Sequence, residues 1–437
     1  MFFIRSIHAR RCIAALLFPL TVAAHGADRD SLDIDRAVGI ALKGNPGLSE
    51  IDARAKALAQ VPDQVGTLPD PTLSLGAVSL PTDTFSTTQE AMTQMQVGIG
   101  VTLPFPGKLG LRKETAEFEA KAAKFDVNEA RLVLVKNVRS TWWNIFFLDR
   151  ATDIVKRNQD LLRGLVKIAE TKYKTGKGLQ SDVLLAQTEL SKLLDAGISI
   201  ESSRRGQTAA LNALLGRSIS TPVILPDQAT LALPSVPGEA SLFRIALDDS
   251  PALSSIRAEI KAARTKVALA EKDYYPDFRL GTAYGFRSGY NANGSPRADL
   301  ASVTISMNLP IFTDTKQDRA LDQRKAEALK AQYALQDDIE QVDAQIDASL
   351  SDFKANRERA MLYKTGIIPQ ANQTAASMLS AYQVDKADFL NLVRAQVTLY
   401  NYETQYWKAL SSAWQAWAKL QAAIGVPVQN AMEKNHE

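Results

Sequence analysis

Cysteine is all but missing from this chain, with one in 437 residues, Cys12, and histidine is nearly as scarce, with three. Cys12 opens a short apolar run, "CIAALLFPLTVAA" (Cys12–Ala24), that follows a basic head of Arg5, Arg10 and Arg11. Basic head, short apolar core and the small residues Val22-Ala23-Ala24 read as a secretory signal peptide over residues 1–27. The run is well short of the ~20 apolar residues that a membrane-spanning helix needs. Cys12 precedes the core, so it is not the lipid-bearing cysteine of a lipoprotein, which follows the core. Cleavage removes Cys12, His8 and His25 and leaves His436. A disulfide framework is thereby excluded, and a transition-metal site built from histidine and cysteine nearly so. A Gly-rich phosphate loop is missing, as is any nucleophile–base constellation, so neither an enzyme nor a cofactor is expected. Excess charge is missing too. The signal holds three arginines and no acid, so 51 basic against 48 acidic residues become 48 against 48. A neutral chain gives no electrostatic footprint for nucleic acid. No later segment reaches 18 consecutive apolar residues. An exported chain of this kind is either water-soluble or crosses a membrane as a β-barrel.

What is present is present twice. Asn45-Pro46-Gly47-Leu48 returns as Ser250-Pro251-Ala252-Leu253, and Leu103-Pro104 as Leu309-Pro310. "YKTGKGLQSDVLLAQ" (Tyr173–Gln187) returns as "YQVDKADFLNLVRAQ" (Tyr382–Gln396), and Leu215-Gly216 as Ile424-Gly425. The offsets are 205, 206, 209 and 209 residues, in one order, which marks an internal duplication. A Pro-rich connector over residues 220–240 lacks helical periodicity. It separates a first repeat, 28–219, from a second, 241–437, which includes a C-terminal tail.

Each repeat reads helix, strand, polar loop, strand, long helix, turn, helix. Strands are expected at Thr72–Ser79, Gln94–Leu103, Asp277–Arg287 and Asp299–Leu309. In the second, Met95, Val97, Ile99, Val101 and Leu103 share one face, and Gln94, Gln96, Gly98, Gly100 and Thr102 the other. In the fourth, Ala301, Val303, Ile305, Met307 and Leu309 oppose Ser302, Thr304, Ser306 and Asn308. Strands of about ten residues with long polar loops fit a transmembrane barrel. A half-buried sheet in a soluble domain has the same period, and the pattern alone leaves both open. From Lys108 to about Thr171 proline is absent and glycine rare, which predicts a helix of up to ~95 Å. Leu134, Val138, Trp142, Ile145, Leu148, Ala151 and Val155 recur at three- and four-residue spacing, as do Ile339, Val342, Ile346, Leu350 and Phe353. Such stripes pack helices into a bundle or coiled coil. Four strands cannot close a barrel, and open strand edges cannot sit in lipid. Membrane strands would therefore have to be pooled by several copies, and three copies give twelve.

With its duplicated strand–strand–helix–helix order, its "LPFPGKLGLRKE" junction and its Tyr173–Gln187 turn, the sequence resembles the TolC-like outer-membrane factor family. The junction is most similar to the branch paired with heavy-metal cation pumps of the cobalt-zinc-cadmium type. The resemblance implies a mainly α fold with a small β part. A homotrimer would form a 12-stranded transmembrane β-barrel continuous with a long α-helical periplasmic tunnel. It implies a passive exit duct in the outer membrane of a Gram-negative bacterium. Its partners would be a periplasmic adaptor (membrane fusion) protein, an inner-membrane pump of the resistance-nodulation-division type, and outer-membrane lipid. A type I secretion or drug-efflux duct is the alternative. A soluble periplasmic coiled-coil adaptor is a second, though it would need a lipoyl-like β-domain that the sequence does not show.

The resemblance also assigns residues. Ser181, Asp182, Tyr382, Asp385 and Asp388 would lie at the periplasmic tip and gate, and Tyr173, Gly176, Lys177, Gly178 and Lys386 in the turns that dock the adaptor. Asp182 would place three carboxylates about a three-fold axis, where such rings select cations. It also fits a first-turn acid favoured by the helix dipole. Ala387, Asn391 and Arg394 depart from the arginine, aspartate and aspartate of the best-known member, so its latch and acidic ring are not fully reproduced. Glu340, Asp343 and Asp347 form an acidic stripe opposite the Ile339–Phe353 seam. It faces either the lumen, where it would attract cations, or plain solvent. Pro104, Pro106, Gly107 and Pro310 are expected to mark the barrel–tunnel junction, where proline ends strand pairing and starts a helix.

Overall fold

The structure is a computed structural model that describes residues 31–227 and 231–425; the expected signal peptide and His436 lie outside them. Three short helices, α1 (Ile34–Gly44), α2 (Pro46–Leu58) and α3 (Val61–Gly66), lead into strands β1 (Thr72–Val78) and β2 (Gln94–Leu103). Helix α4 (Lys108–Lys174) and helix α5 (Gln180–Leu214) follow. The second repeat runs α6 (Glu239–Asp249), α7 (Pro251–Lys272), β3 (Phe278–Phe286), β4 (Leu300–Met307), α8 (Gln317–Leu362), a π-helical turn (Tyr363–Ile367), α9 (Ile368–Gln383) and α10 (Phe389–Ala423). Helix α4 has 67 residues, roughly 100 Å of rod. The second rod, from Gln317 to Gln383, has the same 67 residues in three pieces. Its break follows from Pro369, which has no N–H to return to the preceding turn. The Ile368 amide instead reaches the Tyr363 carbonyl, one residue further back than in an α-helix.

The four strands form one antiparallel sheet in the order β1-β2-β3-β4. Pairing of β2 with β3 joins the repeats, with Leu103 opposite Phe278 and Met95 opposite Phe286. Register puts Leu73, Leu75, Met95, Val97, Ile99, Val101, Leu280, Tyr284, Val303 and Ile305 on one face. Nothing among the described residues covers that face: Leu73, Leu75, Val303 and Ile305 are each about 70% exposed. A half-buried sheet in a soluble domain would hide this face. Here the apolar side is the outer side, as in a sheet whose solvent is lipid. The outer edges of β1 and β4 have no neighbouring strand among the described residues. No described helix is long and apolar enough to cross a membrane.

The helical part has its main core midway along the rods. Trp142, Trp143 and Phe146 of α4 pack with Val138, Ile145, Leu211 and Leu215, and Trp143 stacks on Trp414. The Trp142 indole N–H donates to the Leu32 carbonyl at 2.8 Å, so the ring buries its area without stranding its donor. In the second repeat Ile346, Leu350 and Phe353 meet Trp417, Leu420 and Ile424. The predicted stripes are thus the packed faces. Both repeats also dock their short helices alike. Asn45 caps α2 by accepting from the Leu48 amide, and Ser250 caps α7 by accepting from Leu253. Against these caps lie the left-handed glycines that end α5 and α10, Gly216 (φ 66°) and Gly425 (φ 81°).

Candidate functional site

Two places collect the expected residues: the seam between sheet and helices, and the far tip of the rods. At the seam, Pro104 and Pro106 end β2 and Gly107, with φ 93°, turns the chain into α4. The next residue, Lys108, is 3% exposed. Its ammonium lies 3.0 Å from Asp277 and 3.2 Å from Asp273, and donates to the Tyr275 carbonyl at 3.3 Å. Asp277 also accepts from the Phe105 amide at 2.8 Å, while the Phe105 ring stacks on Tyr275 at 4.5 Å. Burial opposes the charge on Asp277, yet the Phe105 amide and Lys108 hold its carboxyl below the ordinary range. The β2–α4 junction is thereby locked to the α7–β3 junction of the other repeat. At Pro310 the matching junction has no such cover among the described residues, and Leu309, Ile311 and Phe312 are about 70% exposed.

At the tip the α4–α5 and α9–α10 turns lie against each other. Leu162, Leu165 and Ala169 of α4 pack with Ala186, Tyr382, Phe389, Leu392 and Val393. Lys172 fastens the two turns. Its ammonium donates to the Tyr382 carbonyl at 2.9 Å and to the Asp385 carboxylate, and sits 4.2 Å from the centre of the Tyr382 ring. Asp385 takes up the left-handed conformation (φ 60°) that Gly176 takes at the matching position (φ 71°), which aspartate tolerates better than most residues. The Lys172 hydrogen bond holds the Asp385 carboxyl below its ordinary value. Burial, and then the carboxylates of Asp182 and Asp385, push the Tyr382 phenol up.

The structure therefore brings Tyr382 and Asp385 together on Lys172, a residue the sequence reading passed over, with Asp182 near enough for its charge to act on the Tyr382 phenol. The only signal for Lys172 was a cation next to Tyr173, with alanine at the matching position, Ala381. Ser181 and Asp182 lie in the first turn of α5, so Asp182 does favour the helix dipole. Asp388 precedes α10 at its N-cap, but its side chain makes no capping bond. Lys177 and Lys386 are exposed at the turn surfaces, and Tyr173 is half exposed. Gly178 is needed by the turn itself, since a Cβ there would stand 2.9 Å from the Lys172 Cβ. Glu340, Asp343 and Asp347 are exposed on α8, roughly 60 Å along the rod from the tip, and flank the face that buries Ile346, Leu350 and Phe353 instead of lying opposite it.

Sequence comparison places this geometry among known proteins. The pattern of the family described as outer membrane efflux protein matches residues 37–217 and 242–426. The chain is 24% identical over 407 residues to the cobalt-zinc-cadmium resistance protein CzcC of Cupriavidus metallidurans, covering 90% of each. It is 24% identical over 281 residues to the alkaline protease secretion protein AprF of Pseudomonas aeruginosa, covering 63% of this chain and 57% of that one. Among solved structures, the outer membrane protein VceC of Vibrio cholerae superposes with a TM-score of 0.74 at 20% identity, over 90% of this chain and 96% of that one. The CusC structure superposes with a TM-score of 0.75 at 15% identity, over 90% and 92%.

Proposed function

The chain belongs to the outer membrane efflux protein family, and from that premise we propose that its cargo is heavy-metal cations. As in that family, three copies pool their four-stranded sheets into a twelve-stranded barrel in the outer membrane, continuous with a helical tunnel in the periplasm. Pooling the sheets removes the open edges that lipid would penalise. The trimer is a passive exit duct served by a periplasmic adaptor and an inner-membrane pump, not an enzyme. Heavy-metal cargo is favoured by one observation: the resemblance to the cobalt-zinc-cadmium resistance protein spans 90% of both chains, whereas that to the protease secretion protein stops at 57% of the latter. Deleting the gene is expected to lower the tolerated cobalt, zinc or cadmium concentration severalfold, with restoration by a plasmid copy. Unchanged metal tolerance together with a lost secreted protease or lost drug resistance would overturn the cation reading.

The tip residues support a gate. In this reading Ser181, Asp182, Tyr382, Asp385 and Asp388 surround the closure, while Tyr173, Gly176, Lys177, Gly178 and Lys386 meet the adaptor. The Glu340, Asp343 and Asp347 stripe draws cations along the tunnel. Lys172 is the fastening that keeps the two turns of each copy together, so Lys172→Met is expected to raise single-channel conductance in planar bilayers while barely moving the thermal midpoint. Because the Asp385 carboxyl is depressed, the contact is fully present above the ordinary carboxylate value and is lost only as pH falls through the lowered one. Wild-type conductance should therefore stay flat from about pH 8 to about pH 5, above the ordinary carboxylate range. A variant with wild-type conductance would count against the latch.

A further inference from the structure

The duplication predicts what covers the bare junction at Pro310. Leu68-Pro69-Asp70, just before β1, repeats Tyr275-Pro276-Asp277, just before β3, at an offset of 207 residues. That offset falls within the range shared by the other landmarks. Asp277 is the residue that locks the first junction, receiving the Phe105 amide and the buried Lys108. Its counterpart Asp70 is exposed and has no side-chain hydrogen bond or ion pair among the described residues. The other half of the lock is likewise unfilled. Ile311 stands two residues beyond Leu309, as Phe105 stands two beyond Leu103. Its amide, lacking an aspartate, closes a tight turn on the Leu309 carbonyl at 2.9 Å. Lys316 flanks the start of α8 as Lys108 opens α4, but it is exposed and its ammonium has no partner among the described residues.

The free groups sit at opposite edges of the sheet, Asp70 beside β1 and Lys316 beyond β4, so one chain cannot join them. Two chains can. We propose that the seam between subunits repeats the lock in trans: Asp70 of one copy receives the Ile311 amide and the Lys316 ammonium of the next, and Leu68 covers Ile311 and Phe312 as Tyr275 covers Phe105. The occupant of the bare junction is thus a second copy of this chain. Charge complementarity supports it, a carboxylate against an ammonium, each without a partner among the described residues. So does continuity, because extending the β2–β3 register to β4 and the neighbour's β1 sets Leu309 against Pro71, as Leu103 is set against Phe278. The inference rests on the trimer and not on its cargo. It gives the trimer six equivalent seams, three within subunits and three between them, each tying barrel to tunnel through an aspartate.

The scarcity of cysteine makes the test clean, since Cys12 is the only one in the sequence. Asp70→Cys and Ile311→Cys are introduced together, and Phe105→Cys with Asp277→Cys serve as the pair within one chain. Outer membranes are oxidised and run on denaturing gels after boiling. The trans pair is expected to give covalent dimers and trimers that collapse to monomer with reductant. The cis pair should give monomer only, with its thiols blocked to alkylation. A trans pair that assembles as a heat-labile trimer yet forms no crosslink would overturn the proposal. So would crosslinking that appears only with a register-shifted partner, such as Asp70→Cys with Asp314→Cys. If the double cysteine variant fails to assemble, charge exchange decides. Asp70→Lys or Lys316→Asp alone should lower the dissociation temperature of the trimer, and the two together should restore it. Absence of any restoration would overturn the lock. Metal tolerance reports separately on cargo, so the two readings fail independently.

Discussion

Replacing Lys108 by methionine is expected to cost about 3 kcal/mol, because it removes the buried cation that pairs with two carboxylates at the seam. Lys108 is 3% exposed, whereas the side chains of Asp273 and Asp277 keep 52% and 31% of their exposure. The residual hydration of the acids places the loss at the low end of what breaking a buried pair costs. Methionine fills similar volume, so little of the effect comes from a cavity. What remains is an Asp277 carboxylate held by the Phe105 amide and the more distant charge of Arg112, and a Tyr275 carbonyl without the Lys108 donor. The measurement is the urea midpoint of the detergent-solubilised trimer, followed by tryptophan fluorescence. Lys113→Met is the control. Lys113 pairs with Asp63 at 2.9 Å, but both side chains stand in water, so its removal should leave the midpoint in place. Equal effects of the two substitutions would mean that burial at the seam is not what gives Lys108 its importance.

Lys108 also shows where sequence reading stops. The strands were legible because alternation has a period of two and proline ends each run, so β2 was predicted over the residues it occupies and the others to within two residues. The long α4 was legible because nothing between Lys108 and Lys174 breaks it. The duplication was legible as an offset, and the resemblance to the family supplied the trimer. A lysine, however, reads as surface unless its partners are known, and those of Lys108 lie 165 to 169 residues away. Lys172 was missed for the same reason, since its contacts with Tyr382 and Asp385 span 210 and 213 residues. The π-helical turn did have a local signal, Gly366 and Pro369 in one helical stretch, and could have been found. The acidic stripe is a different case. Its exposure was legible, but whether Glu340, Asp343 and Asp347 line the lumen is decided by neighbouring copies.

Gly216→Ala is expected to destabilise the protein by about 2–5 kcal/mol, combining a left-handed backbone with overpacking. Gly425→Ala, at the matching position of the other repeat, should cost less. Both glycines end a long helix in the left-handed region, at φ 66° and 81°, so the conformational penalty is shared. The difference is in what the new methyl meets. At Gly216 a Cβ would lie 2.0 Å from the Gly44 carbonyl oxygen and 2.8 Å from its carbon. Those are backbone atoms at the end of α1, and they are held in place. Asn45 both caps α2 and donates from its side-chain amide to the Leu214 carbonyl at 3.0 Å, so α5 cannot back away without breaking that bond. At Gly425 the nearest atoms are the Ser250 Cα at 2.8 Å, the Pro251 Cδ at 3.0 Å and the Asp249 carbonyl oxygen at 3.1 Å, so the chain must still shift, but by less than the 2.0 Å approach at Gly216 demands. The neighbours Leu215 and Ile424, buried to 1% and 0%, would be drawn from their cores by any larger movement. Urea midpoints of the two single variants and the double variant test the order. The sites share no partner, so the double variant should show the sum of the singles. A Gly425 variant as damaged as the Gly216 variant would mean that backbone conformation alone, and not the approach of α5 to the α1–α2 corner, makes glycine necessary at both places.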